Sequence, residues 1–142
     1  MQISNNFLLQ EFVPKDIYYQ FHNKSQWFIQ KHVVEYMEAI RVRYGQSITI
    51  NDWKWGGKFN YRGFRPPNST VGAKLSQHRL GNAVDFNVKN MSCDEVREDI
   101  LNNQRWHMSK GLTTIEDGAY APTWVHVDFR QTRQDNILIV KP

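Results

Sequence analysis

Ser76-Gln77-His78-Arg79-Leu80-Gly81-Asn82-Ala83-Val84-Asp85-Phe86-Asn87-Val88 is the stretch on which the reading of this chain turns. His78 and Asp85 are seven residues apart. On a straight helix that separation spans about 10 Å, and on a straight strand more than about 20 Å. Two side chains so placed meet at one point only if the chain bends between them, and Gly81 is where it bends cheaply. Beyond the bend, strand alternation puts Val84, Phe86 and Val88 on one face and Ala83, Asp85 and Asn87 on the other. The first face belongs to a core; the second carries Asp85.

Trp124-Val125-His126-Val127-Asp128-Phe129-Arg130 repeats the pattern. Val125, Val127 and Phe129 point to the core, while Trp124, His126, Asp128 and Arg130 share the opposite face. Pairing the two strands side by side would bring His78, Asp85 and His126 together. Two imidazoles and a carboxylate suit one zinc ion and leave a fourth position for water, the hydrolytic rather than the structural arrangement. Either half alone is a weak signal; the combination in strand context is stronger. His22, His32 and His107 lack such a setting and are expected to be structural or solvated.

A length of 142 residues with 40% apolar and 13% aromatic content suits one folded domain spanning 1–142. A single cysteine, Cys93, excludes an intramolecular disulfide and a multi-cysteine zinc site. The charge of +4 is spread without a dense basic run, so a nucleic-acid partner has only the pI of 9.3 and the aromatics behind it. No stretch is long and apolar enough to span a bilayer. Ser4, Asn5, Asn6 and Gln10 interrupt the first apolar residues, which is unlike a secretory signal. A monomer is expected.

Residues 7–21 read as a leading segment with a short helix around Pro14. Ile29, Val33, Met37, Ile40 and Tyr44 fall near a 3.6 period and predict a helix from Ser25 to Tyr44, stopped by Gly45. Strands are expected at Ile48–Ile50, Ala83–Val88, Leu112–Ile115, Trp124–Arg130 and Ile137–Val140. Ser92-Cys93-Asp94-Glu95 has the form of a capping box opening a helix to about Asn103. The irregular 52–75 stretch contains Trp53, Trp55, Phe59, Tyr61 and Phe64, too much aromatic surface for disorder. Packing is the expected duty of most of these rings; Trp53, Trp55 and Tyr61 are candidates to line a cleft. The fold class is α+β, a mainly antiparallel sheet with flanking helices.

The two motifs together resemble the signature of zinc peptidases of the D-alanyl-D-alanine carboxypeptidase type. This M15-like superfamily also takes in D-Ala-D-Ala dipeptidases, the L-alanyl-D-glutamate endopeptidases of phage lysins, and the hedgehog signalling domain. Asn6-Phe7 with Glu11-Phe12, Gly63-Phe64-Arg65-Pro66 and Val71-Gly72-Ala73 extend the resemblance over about residues 6–130. It implies a hedgehog-like or D-Ala-D-Ala-peptidase-like fold, with one zinc on His78, Asp85 and His126. It implies that Arg65 lies in the cleft and binds or polarises the substrate; a loop-bracing salt bridge is the alternative. Ser76 and Trp124 are further candidates for substrate contact.

One position departs from the pattern. Several relatives carry the catalytic carboxylate three residues before the last zinc histidine, where this chain has Thr123. Glu116 ranks first as the general base and Asp128 second, Asp128 equally suiting a role that orients a ligand. Asp117, before Gly118, reads as a turn residue. The implied activity is hydrolysis of peptidoglycan stem or cross-bridge peptides, as by a phage or prophage endolysin made in the cytoplasm. Such an enzyme reaches the wall through a holin or on a virion. The alternatives are a D,D-carboxypeptidase or dipeptidase trimming terminal D-Ala, and a non-catalytic zinc-bearing binding module, which Thr123 keeps open.

Overall fold

The computed structural model describes Met1–Pro142. Its strands are β1 (Ile48–Thr49), β2 (Ala83–Val88), β3 (Thr114–Glu116), β4 (Val125–Asp128) and β5 (Leu138–Val140). They form one sheet in the order β1-β2-β4-β3-β5. The β1–β2, β2–β4 and β4–β3 pairings are antiparallel, and β5 runs parallel to β3. The sheet is therefore mixed, though mostly antiparallel. The parallel pair arises because the chain leaving β4 passes β3 and returns along its far edge.

The helices are α1 (Lys15–Phe21), α2 (Lys31–Tyr44), α3 (Cys93–Asn102) and α4 (Gln104–Ser109). The helix expected from Ser25 begins only at Lys31. His22–Phe28 is a 3-10 turn, and Ile29 and Gln30 are extended, with ψ of 134° and 138°. The break has a tertiary cause: the Gln30 N–H donates to the carbonyl of Gly81 at 2.9 Å, fastening the start of α2 to the bend before β2. At its other end α2 stops as expected on Gly45, whose N–H donates to Arg41 O. Its Val33, Tyr36, Met37 and Ile40 are fully buried, each apolar side chain of this kind contributing roughly 1.5–3 kcal/mol on burial.

Ser92 caps α3, its Oγ accepting from the Glu95 N–H at 3.1 Å. Cys93 follows it, half-buried against the core. The short α4, which no apolar periodicity announces, is held by His107: its Nδ1 accepts from Tyr36 OH at 2.9 Å and its Nε2 lies 2.9 Å from Asp99 Oδ2.

β2 and β4 are the central strands. Alternation is present, but Ala83–Phe86 and Val125–Asp128 are buried on both faces. One face meets the core that includes α2; over the other lie the segments carrying Gly63–Arg65 and Ser76–Leu80. No helix is long and apolar enough to cross a membrane.

Candidate metal centre

Asp85 and His126 are direct partners in the β2–β4 register, so both side chains rise from the same face. Asp85 Oδ1 lies 2.8 Å from His126 Nδ1. His78 reaches the pair from a 3-10 turn (Gln77–Leu80) that Ser76 caps, its Oγ accepting from the His78 N–H at 3.2 Å. Gly81 then turns the chain into β2 with φ +65°, and a Cβ there would run into the Phe28 carbonyl oxygen. Both the conformation and the close approach require glycine.

His78 Nε2 stands 3.2 Å from Asp85 Oδ1 and 3.3 Å from His126 Nδ1. Donor atoms around a tetrahedral zinc with bonds near 2.0–2.1 Å are about 3.3 Å apart. The three atoms thus have the spacing of ligands sharing one ion. The other ring nitrogens are already engaged. His78 Nδ1–H donates to Gly63 O at 2.8 Å, and His126 Nε2–H donates to Asp128 Oδ2 at 2.9 Å. Each imidazole is thereby left with its inner nitrogen for a cation.

The ionisable groups of the centre shift one another strongly. Burial acts to lower the His126 pKa, but hydrogen bonds to Asp128 and Asp85 outweigh it and hold the group at about 9. A proton is retained where a metal cation would fit. Burial would raise Asp85, yet the His78 and His126 imidazoles hold it well below the ordinary carboxylate range. Burial lowers His78.

The centre forms the floor of a cleft of about 620 Å³ with Arg65, Glu116, Trp124 and Arg130 in its walls. Ser76 also faces it. Arg65 both braces and faces the cleft: Nε donates to Tyr61 O at 2.8 Å and Nη2 to Asp85 Oδ2 at 3.1 Å. Thr114 pairs with Asp128 and Ile115 with Val127. Continuing that register by one residue sets Glu116 beside His126 on the same face. Asp85, His126 and Glu116 therefore form a row across three adjacent strands. Burial raises the Glu116 pKa, with Asp85 and Asp128 adding to it against His126 and Arg65, and no hydrogen bond contributes.

Asp128 is fully buried under His126 and gripped by Arg130, which donates from Nε to Oδ1 at 2.8 Å and from Nη2 to Oδ2 at 2.6 Å. Asp117 makes a turn, its Oδ1 accepting from the Ala119 N–H at 2.8 Å. Thr123 is exposed, and its carbonyl accepts from Asn87 Nδ2. Trp53, Trp55 and Tyr61 do not supply side chains to the cleft; the ring in its wall is Trp124. Trp53 is instead tied to Val13 O through Nε1, among Tyr18 and Tyr19. His22 and His32 lie exposed, and His107 is buried in its own network. Two partners escaped sequence reasoning. The Gly63 carbonyl carries no side-chain signal, and Arg130 was visible only as a residue on the face of His126.

The family described as Peptidase M15 matches this chain over residues 10–128. No curated protein and no solved structure matches it.

Proposed function

The chain belongs to the peptidase M15 family, and we propose that it is a zinc-dependent hydrolase of peptidoglycan stem or cross-bridge peptides, acting in the manner of an endolysin endopeptidase. The observation that carries this reading is the meeting of His78, Asp85 and His126 on the floor of a cleft with Glu116 in its wall. His78, Asp85 and His126 would hold the ion. Zinc bound there supplies a Lewis acid that polarises a peptide carbonyl and makes water acidic enough to give up a proton near neutral pH.

Glu116 is the general base. Its carboxylate has no hydrogen bond to distract it, and burial raises its proton affinity, as a group that takes a proton and passes it on requires. It accepts the proton of the attacking water and delivers it to the departing amine nitrogen. Arg65, a permanent cation anchored by Tyr61 O and Asp85, stabilises negative charge developing on the substrate. Ser76 and Trp124 contact the peptide from the rim.

The test is digestion of defined peptidoglycan with and without chelator, read by mass spectrometry. Release of stem peptides that a chelator abolishes supports the reading; walls left intact by zinc-loaded protein overturn it in favour of a binding module. Arg130, whose side chain is 34% exposed in the cleft wall, favours a second reading in which a terminal D-Ala carboxylate is held there and trimmed. Loss of one alanine per stem would identify that carboxypeptidase.

A further inference from the structure

We infer that Asp128 and Arg130 form a positioning clamp that fixes which nitrogen of His126 is offered to the metal. The inference rests on the reading of the centre as a zinc site and adds to it two residues that bind no metal.

The side chain of Asp128 occupies the sheet layer next to the ligands. Its strand neighbours are Ala83 on β2 and Thr114 on β3, both small and both fully buried. The short side chains leave room for a carboxylate beneath His126. Oδ2 accepts from His126 Nε2–H at 2.9 Å and from Arg130 Nη2 at 2.6 Å. Oδ1 accepts from Arg130 Nε at 2.8 Å and from the Arg130 backbone N–H at 3.3 Å. An ionised carboxylate offers about four lone-pair sites. All are used, and none is left to take a proton from a water in the cleft. Asp128 is thus a positioning residue and not the base.

The carboxylate needs Arg130. It is completely buried, and a buried charge without a partner is strongly destabilising. Arg130 meets it with the planar fork of a guanidinium, which lysine cannot reproduce. So oriented, His126 keeps its proton on Nε2 and turns Nδ1 to the centre. His78 is fixed the opposite way, because its partner is the Gly63 carbonyl: Nδ1 is protonated and Nε2 faces inward. The two imidazoles therefore enter the site through unlike nitrogens, each chosen by an acceptor on the side away from the metal.

Two measurements on the full chain test this. The first is a long-range ¹H–¹⁵N spectrum of zinc-loaded protein with labelled histidines. One ligand histidine protonated at Nε2 and assigned to His126, and one at Nδ1 assigned to His78, is expected; the same tautomer at both overturns the clamp. The second is zinc affinity by competition with a chromogenic chelator. Asp128→Asn and Arg130→Gln should each weaken binding about 10–100-fold, with Arg130→Lys recovering only part. Wild-type affinity in both overturns the inference. If Asp128→Asn does not fold, Arg130→Gln, altered at a partly exposed side chain, carries the decision. Wild-type protein that takes up no zinc overturns the zinc reading itself and the clamp with it. Tight wild-type binding with unaffected variants removes the clamp alone.

Discussion

Asp85 lies directly opposite His126 across the β2–β4 pairing, with Oδ1 2.8 Å from Nδ1, and this contact turns two separate strand motifs into one centre. Such a contact needs both partners and a third ligand to close around an ion. His78→Ala and His126→Ala are each expected to lose zinc retention and hydrolysis together. Metal analysis of purified protein alongside a peptidoglycan digest checks this; a fully active variant would remove the site.

Glu116 shares the face of His126 from the neighbouring strand and supplies no atom to the three-ligand cluster. Glu116→Gln should therefore keep its zinc and lose turnover by about 10²–10⁴-fold, the usual contribution of a positioned base. The comparison is with Asp128→Asn, expected to show its defect in zinc affinity. Turnover at saturating zinc falling further in Asp128→Asn than in Glu116→Gln would reverse the assignment.

Glu11 supplies a pH dependence remote from the centre. It is 8% exposed, and burial raises its pKa from 4.5 to about 6 despite a hydrogen bond from the Leu8 N–H. The folded chain then binds this proton more tightly than the unfolded one. Stability from this group is greatest below pH 4.5 and declines as pH rises to about 6. Above that it is a constant penalty of about 2 kcal/mol. Glu11→Gln keeps an acceptor for Leu8 and does not titrate. Its melting temperature relative to wild type should rise across that window and stay higher at pH 7.

Tyr36, His107 and Asp99 link α2, α3 and α4 through two 2.9 Å contacts. Tyr36→Phe leaves the buried Nδ1 of His107 without its donor and should cost about 1–3 kcal/mol in denaturant unfolding. Zinc affinity should not change, since no atom of this network belongs to the centre. A parallel loss of zinc binding would show that the network reaches the site.

Gly81 is the bend on which His78 depends. Gly81→Ala places a methyl against the Phe28 carbonyl and asks alanine to hold φ +65°. Destabilisation beyond the roughly 1 kcal/mol of the left-handed conformation alone is expected, together with weaker zinc binding. Unfolding and chelator competition on the same sample check both.

The site was legible in the sequence to different depths. The bend at Gly81, the faces of β2 and β4, and the candidate trio of His78, Asp85 and His126 follow from local geometry. Two side chains seven residues apart can meet only if the chain folds back between them, and a strand has to alternate. The break before α2 was not legible, because it is made by a hydrogen bond from Gln30 to Gly81, fifty-one residues away in the chain. The strand at Leu138–Val140 was expected, but its parallel pairing with β3 was not, and the short α4 escaped altogether: six residues carry too little pattern, and the partners of both lie on other elements.

Residue types, alternation and one glycine were thus enough to nominate the ligands, since each acts within a few positions of itself. Which nitrogen each histidine turns inward was beyond their reach. That choice depends on the carbonyl of Gly63 for His78 and on the Arg130-gripped carboxylate of Asp128 for His126. Equally, Glu116 comes to the face of His126 only through the β3–β4 register. Hydrogen-bond partners and cross-strand neighbours are set when distant segments pack, and the chain's order alone does not encode them.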